Sequence, residues 1–568
     1  MKWELSSGTR YYSSGQQVSY GGNTYLKNRV KSIPSFQAGY IDRKDRDFSR
    51  LEIELDNLAD DGSSSFPFTV LDASVNFEDS KITIYAYSPD ASDAALMWWG
   101  FAGRPRFNGK DKTVTVGASF FWDSLDLQIP AKLLQQAGFN PLETSSQNSE
   151  ENQDEFSIPI IFGAGDLKVR PLIYRKLTNG STLGVNFILS GTQSGAAFSS
   201  SDLTAQAMKL FGNTPASRII FFTGGADSAI APTNLTAFPD GAAHPLVAYG
   251  YAEFPITNEI KDRIEDLRPR DIKCRIANGR PLVDTGLPSE NIPLIVKDIL
   301  RDPIYGCGLP NSLFDATVLT STANYTGTRY QARYELHEQV TITSLIQQML
   351  GDAHCYITFD NGLIQIRAKR NNESSVATFA TCDSGFSGRK IDGDSVEAWE
   401  KDFSELVNQA TLKFRKKREA RDIATLYDPN AQARAGGTAK KVVGIEIDEW
   451  DNGGLYDYPQ VQINLAILIR EEQNGNLFIS FDSPLWDCLD VSPGDIITVR
   501  SPDIPNNGSN FLFRVKKQTF DTENFTVGLT CQVYKTAIYN DDAVALGVDL
   551  LRGADDTSAM GRPPDVVP

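Results

Sequence analysis

Histidine is the scarcest chemical resource in this 568-residue chain: there are three, His244, His337 and His354. Metal centres and acid–base catalysis near neutral pH lean on imidazole, so the count narrows the room for an enzyme. Cysteine is sparse too. Cys274, Cys307, Cys355, Cys382, Cys488 and Cys531 form no C-x-x-C pair, and such wide spacing reads as reduced, mostly buried thiols. Long apolar runs are missing. The longest, Ala94 to Ala102 within DAALMWWGFAG, falls far short of the ~20 residues that cross a bilayer. The opening MKWELSSGTRYYSSGQQVSYGG holds no apolar core of a secretory leader, so synthesis in the cytoplasm is expected. Positive charge is in deficit: 55 Lys and Arg face 72 Asp and Glu, a net charge of −17. That balance disfavours broad affinity for nucleic acid or anionic membranes.

What is present is ordinary globular material. With 41% apolar residues, 44 Gly and 28 Pro, general disorder and fibrous repeats are excluded. At roughly 150 residues per domain the length suggests about three to five domains, each able to bury a core without a disulfide or metal staple.

Strand signals dominate. Residues 51–58 (LEIELDNL), 74–87 and 112–129 alternate apolar and polar side chains, with a turn at Asn108–Asp111 (NGKD); this is the period of half-buried antiparallel strands. Residues 156–177 and 183–191 continue the pattern. Short helices are expected at 129–141, at 201–212 (Ser201 or Asp202 as N-cap, Gly212 closing), from Asn291 with Pro293 in its first turn, at 340–351 and at 458–473. Hairpins are expected at 355–369, around Asn361-Gly362, and at 511–534, with Pro493-Gly494 set for a turn. The acidic stretch 143–155 reads as a linker and 223–245 as a long loop able to bind a partner. The expected class is mainly β with short helices, a β-rich α+β chain. Its expected divisions are 1–142, a β-barrel region; 143–155, the linker; 156–288, a β-rich domain with a helix and long loop; 289–390, a helix plus hairpin; 391–540, a last β-barrel region; and 541–568, an irregular tail.

Chemical motifs are weak. FGAGDLK (162–168) has a G-x-G but Lys168 stands where a dinucleotide fingerprint needs glycine. No phosphate-loop lysine motif and no G-x-S-x-G elbow occur. His337-Glu338 lacks a second His, because residue 341 is Thr, which excludes zincin chemistry. His354 and Cys355 are neighbours on a strand start, where side chains point to opposite faces. The basic run holding Arg415, Lys416, Lys417 and Arg418 reads as a solvated strand end, an inter-subunit patch or a DNA contact. Trp98, Trp99 and Phe101 read as barrel core with one rim contact, or as an exposed interface cluster. Among 72 acids a glycosidase-like carboxylate pair remains an open alternative.

Several blocks, in chain order, resemble phage tail-tip hubs. Phe101–Pro130 is similar to the hub region of siphophage and gene-transfer-agent tail tips. Ile158–Ile173 and Phe187–Gly195 look like the "IPVVYG … LSEG" stretch of the lambdoid tip attachment family, with Thr192 in place of its usual acid. Asn291–Pro310, NIPLIVKDILRDPIYGCGLP, resembles that family's next block at Pro293, Asp298, Leu300, Asp302, Pro303, Tyr305, Gly306 and Gly308. The helix at 340–351 with the 355–369 hairpin, and then the 458–473 helix with the turn Pro493, Gly494, Asp495, resemble its later parts. The resemblance implies several tail-tube-like β-barrel hub domains. It implies a homotrimer that closes the tail tube in the virion and adapts sixfold to threefold symmetry. Implied partners are the distal tail protein, the tail tube protein, the tape measure protein, and receptor-binding or fibre proteins, with DNA only in transit. No cofactor, no metal, no catalytic residue and no membrane insertion are expected. A cell-wall hydrolase and a receptor-binding adhesin are the alternatives; the lack of a fibre-like extension speaks against the adhesin. An acid-lined lumen would let DNA pass without sticking, since each Lys or Arg contact adds counterion-release affinity.

Overall fold

The computed structural model describes residues 1–57, 77–122, 127–129, 157–192, 208–222 and 246–541, apart from short stretches inside those ranges, together with Phe198. Strand is the prevailing element, helices are short, and one sheet curls into a half-barrel, so the chain is a β-rich α+β protein. Of the helix expected at 129–141 only Ile129 is described, paired as a strand with Val340; residues 130–141, the linker at 143–155, the loop at 223–245 and the tail beyond 541 lie outside the described residues.

Alternation sets the strands. In Leu51–Asp56 every second side chain is buried, as it is in Gln409–Arg415 and Thr526–Val533. Thr182–Gly191, paired between Leu172–Thr178 and Val247–Pro255 in a four-stranded sheet, is buried on both faces because Val185, Phe187 and Leu189 enter one core and Ile188 another. That sheet shares a core with a second one built on Ala164–Val169 and Ile272–Asn278, filled by Val185, Phe187, Leu189, Met208 and Ile276.

Early and late strands of the described chain meet in a larger pair of sheets. The eight-stranded sheet contains Lys2–Leu5, Leu51–Asp56, Lys81–Ser88, Asp93–Ala102 and Thr113–Ser119. The eleven-stranded sheet contains Phe36–Ile41, Cys355–Asp360, Leu477–Pro484, Phe511–Asp521 and Thr526–Val533. Trp3, Ile53 and Trp98 from the first lie in one core with Ile479, Phe513 and Leu529 from the second. Phe36–Ile41 is wedged between distant partners, with Gly39 opposite Lys517 and Ile41 opposite Ile357.

A third core surrounds the helices Ile292–Arg301, Ile342–Asp352 and Tyr458–Asn474. Ile295, Val296, Ile299 and Leu300 are all buried, and each such side chain is worth about 1.5–3 kcal/mol over leaving it in water.

Two local expectations are corrected. Within the helix expected at 201–212, Met208–Leu210 is a strand pairing with Ile272–Cys274. Met208 and Leu210 are buried and Lys209 is exposed, so a waiting sheet edge overrides local helical spacing; residues 201–207 and 212 lie outside the described residues. The helix expected from Val340 begins at Ile342, because Val340–Thr341 pairs with Gln128–Ile129. The hairpins at 355–368 and 511–533 form as expected, with Gly362 at φ +78° in the tight turn.

Candidate functional site

The block Asn291–Pro310 builds a closed polar knot. Pro293 sits in the first helical turn, where its missing N–H would be unpaired anyway. Asp298 and Asp302, four apart, share the helix face that meets Arg280. Arg280 Nη2 donates to Asp298 Oδ2 at 2.5 Å and to Asp302 Oδ2 at 2.7 Å, and all three side chains are 1–2% exposed. The other carboxylate oxygens cap backbone: Asp298 Oδ1 accepts from Val283 N, and Asp302 Oδ1 from Ile304 N and Tyr305 N. The helix stops at Asp302, which is extended ahead of Pro303, as the proline ring requires of its predecessor.

The chain then folds back on its own helix. Gly306 N and Gly308 N donate to Asp302 O, Cys307 N to Ile299 O and Leu309 N to Leu300 O. Tyr305 OH reaches Leu246 O at 2.8 Å. Gly308 has φ +69°, the left-handed region that glycine enters freely. At Gly306 a Cβ would lie 2.0 Å from Ile299 O. Gly306→Ala is therefore expected to cost about 2 kcal/mol through forced backbone movement, read as a lowered urea midpoint; an unchanged midpoint would show that the loop gives way freely.

The second motif turn is equally committed. Asp495 N donates to Ser492 O, Gly494 has φ +95°, and Pro493 precedes it, the pattern of a type II turn. Thr358 Oγ1 donates to Pro493 O, Tyr356 OH and Arg514 Nη1 to Gly494 O, and Arg367 Nη1 meets Asp495 Oδ1 at 2.6 Å. The turn is thereby fixed to the 355–368 hairpin.

The candidate interface residues separate. Consecutive strand residues face opposite ways, so Trp98 and Trp99, in regular register after a bulge at Met97, enter different cores. Trp98 joins the core of the two large sheets and Trp99 the core around the helices. Trp99 packs on Phe101, Phe120 and Phe359, with Lys81 Nζ 4.9 Å above its ring. Phe101 is half-buried against the same cluster. Arg415 turns inward: its Nη1 donates to Glu335 Oε2 at 2.9 Å, while Glu335 Oε1 meets His337 Nε2 and Arg170 N. Burial alone would push the Glu335 carboxyl up, but His337, Arg415 and the Arg170 N–H outweigh it and hold it down to about 2. Lys416, Lys417 and Arg418 lie outside the described residues.

Two buried centres escape sequence reading altogether. Asp352 and Glu449, 0% and 1% exposed, converge above Gly454, where a Cβ would meet carboxylate oxygens of both. Arg43 Nη2 lies 2.8 Å from Asp352 Oδ1 and 3.4 Å from Glu449 Oε1, and Tyr334 OH donates to Asp352 Oδ2. Burial, then the Asp352 charge, drives the Glu449 carboxyl well above the usual range; burial raises Asp352 too, against the pull of Arg43. Close by, Lys369 Nζ bridges Asp42 Oδ2 at 2.9 Å and Glu471 Oε1 at 2.8 Å. No short spacing marks either centre, because Arg43 lies 309 and 406 residues from Asp352 and Glu449, and Asp42 lies 327 from Lys369.

The reactive side chains sit in quiet environments. Burial pushes the Cys307, Cys355 and Cys488 thiols up to about 12 and lifts Cys531 as well, the opposite of what a nucleophilic thiolate needs. Burial lowers His354 to about 3, so it stays neutral. Among the described residues no group of His, Cys, Asp and Glu is placed to hold a metal ion, and no helix is long and apolar enough to cross a membrane.

No family model and none of the curated proteins matches this sequence. Solved structures do. A protein of the virion of a native gene transfer agent particle is 13% identical with a TM-score of 0.44, over 72% of this chain and 93% of that one. The 43 kDa tail protein of prophage MuSo2 from Shewanella oneidensis is 9% identical with a TM-score of 0.28, over 67% and 99%. A tail protein from Neisseria meningitidis MC58 is 9% identical with a TM-score of 0.28, over 68% and 98%. With every TM-score below 0.5 these likenesses do not carry the roles of individual residues, but the proteins that this chain is similar to are tail proteins and a gene transfer agent particle.

Proposed function

We propose that the chain is a structural hub of a phage-type tail tip, made in the host cytoplasm and carried in the virion as a homotrimer. The observation behind this reading is the block Asn291–Pro310, which stands in order among the other hub-like blocks. Its polar motif side chains are consumed inside the chain, by Arg280, by backbone N–H groups and by Leu246 O. A motif spent on holding a loop to a helix belongs to a scaffold rather than to a reaction. In this reading the trimer closes the tube, meets the distal tail, tube and tape measure proteins above and fibre or receptor-binding proteins below, and takes part in attachment and DNA passage. Cyclic closure suits such a part, since one heterologous patch repeats until the ring shuts.

Mass photometry and light scattering test the assembly. A species of three times 62.6 kDa is expected at high concentration; a chain that stays monomeric there, and is also missing from imaged tail tips, would sink the hub. The DNA-conduit role is tested separately. An image of the assembled ring is expected to show carboxylates along the axis, and a basic channel would contradict it. Clearing of peptidoglycan by the purified protein would favour the hydrolase alternative instead.

A further inference from the structure

The strand Glu397–Glu400 is an open edge. Among the described residues it pairs on one side only, with Leu477–Ser480 of the eleven-stranded sheet. Natural edges are usually blunted, by charge, proline or a covering loop, so that no foreign strand adds to them. This one keeps a large aromatic in the open: Trp399 is 42% exposed and stacks on its cross-strand neighbour Phe478, with centroids 5.8 Å apart and planes 13° apart. Phe403, 40% exposed, follows just beyond the strand. The edge also has a strong charge bias. Between residues 392 and 405 the chain carries Asp392, Asp394, Glu397, Glu400, Asp402 and Glu405 against Lys401 alone. Lys401 is itself engaged, 5.4 Å over the Phe478 ring and 3.8 Å from Glu472. Glu397 and Glu400 are exposed.

We propose that this edge docks an extended basic segment of another polypeptide, added as a further strand of the sheet. Backbone hydrogen bonds to an open edge supply affinity, and alternate side chains supply specificity. On the face that Glu397 shares with Trp399, Lys or Arg side chains of the incoming strand would pair with Glu397, while Glu400 adds negative charge on the other face. One of them would lie over the open face of Trp399, where a ring quadrupole attracts a cation. An edge protected only by its charge has no use for an exposed tryptophan. This inference does not depend on the hub reading, because it rests on the edge, the aromatic pair and the charge alone.

Calorimetric titration of the full chain with the peptide acetyl-KVKVKVK-amide tests it, against acetyl-EVEVEVE-amide and a Lys peptide of the same charge with a central proline. The Lys-Val peptide is expected to bind at 50 mM salt and to weaken at least tenfold at 300 mM. The acidic and proline peptides should bind at least tenfold more weakly. The fully surface-borne change E397K/E400K, which leaves the core untouched, should reduce affinity at least tenfold, and Trp399→Ser should do so by a similar factor. Equal binding of the proline peptide would exclude strand addition. Full affinity in E397K/E400K would place the peptide elsewhere. Self-association of the chain that Trp399→Ser abolishes, without peptide binding, would make the occupant a second copy and overturn the proposal.

Discussion

Arg280→Ala is expected to lower stability by about 3–5 kcal/mol, the cost of leaving buried carboxylates without their cation. Arg280 reaches both Asp298 and Asp302, and all three are sealed from water. Its plane also lies 5.0 Å from the centroid of Phe162, so alanine removes packing as well as charge. The effect should be confined at first to the helix Ile292–Arg301 and the loop folded on it. Hydrogen exchange across residues 280–310 is therefore the sharper readout, since a chain with several cores need not unfold in one step. The charge-free combination R280M/D298N/D302N should recover at least half of the loss. Asparagine Oδ1 can still accept from Val283 N, Ile304 N and Tyr305 N, and removing a buried ion cluster as a whole is often neutral. A loss below about 1 kcal/mol in Arg280→Ala, or no rescue, would show that the knot is not held by charge.

The second large effect concerns Glu449 and appears as a dependence on pH. A folded carboxyl raised above its unfolded value of 4.5 binds a proton that the unfolded chain has already released. Stability contributed by that proton is complete below pH 4.5 and declines as pH rises, by about 1.4 kcal/mol per unit, until the folded carboxyl itself ionises. Glu449→Gln is uncharged at every pH and keeps a donor for Asp352. The variant is therefore expected to gain on the wild type by about 1.4 kcal/mol per pH unit above 4.5, and to be the more stable protein in mild alkali. Denaturant midpoints of both proteins at several pH values between 5 and 9 measure this directly. Parallel curves would mean that Arg43 already compensates both carboxylates.

Much of the fold is legible one segment at a time. The alternation in Leu51–Asp56 and Thr526–Val533, the glycine turn at Gly362 and the proline in the first turn at Pro293 all carry their structure in a few adjacent residues. The knot was half-legible: two aspartates four apart on one helix face announce a shared partner, although nothing marks Arg280 as that partner. What failed was long-range. Met208–Leu210 sits in a run with helical spacing but has a sheet edge beside it in space. Arg43 finds Asp352 and Glu449 across 309 and 406 residues, and no periodicity reports such a meeting. The two tryptophans of DAALMWWGFAG were ambiguous for the same reason. Strand alternation puts one on each face, but what covers each face is set by elements far along the chain.

The seating of Phe36–Ile41 sets a timetable for synthesis. Its loop is closed by Thr522, whose Oγ1 donates to Ile33 O across 489 residues. A ribosome adding roughly 5–20 residues per second delivers that partner about 25–100 s after the strand has emerged. Until residue 357 is made, this six-residue strand has only Arg46–Phe48 to pair with, and its longest pairing, with Lys517–Phe520, comes last. Chaperone cover over the first translated domain is then a condition of yield, and translation that aborts before residue 511 releases a product that cannot complete its own sheet.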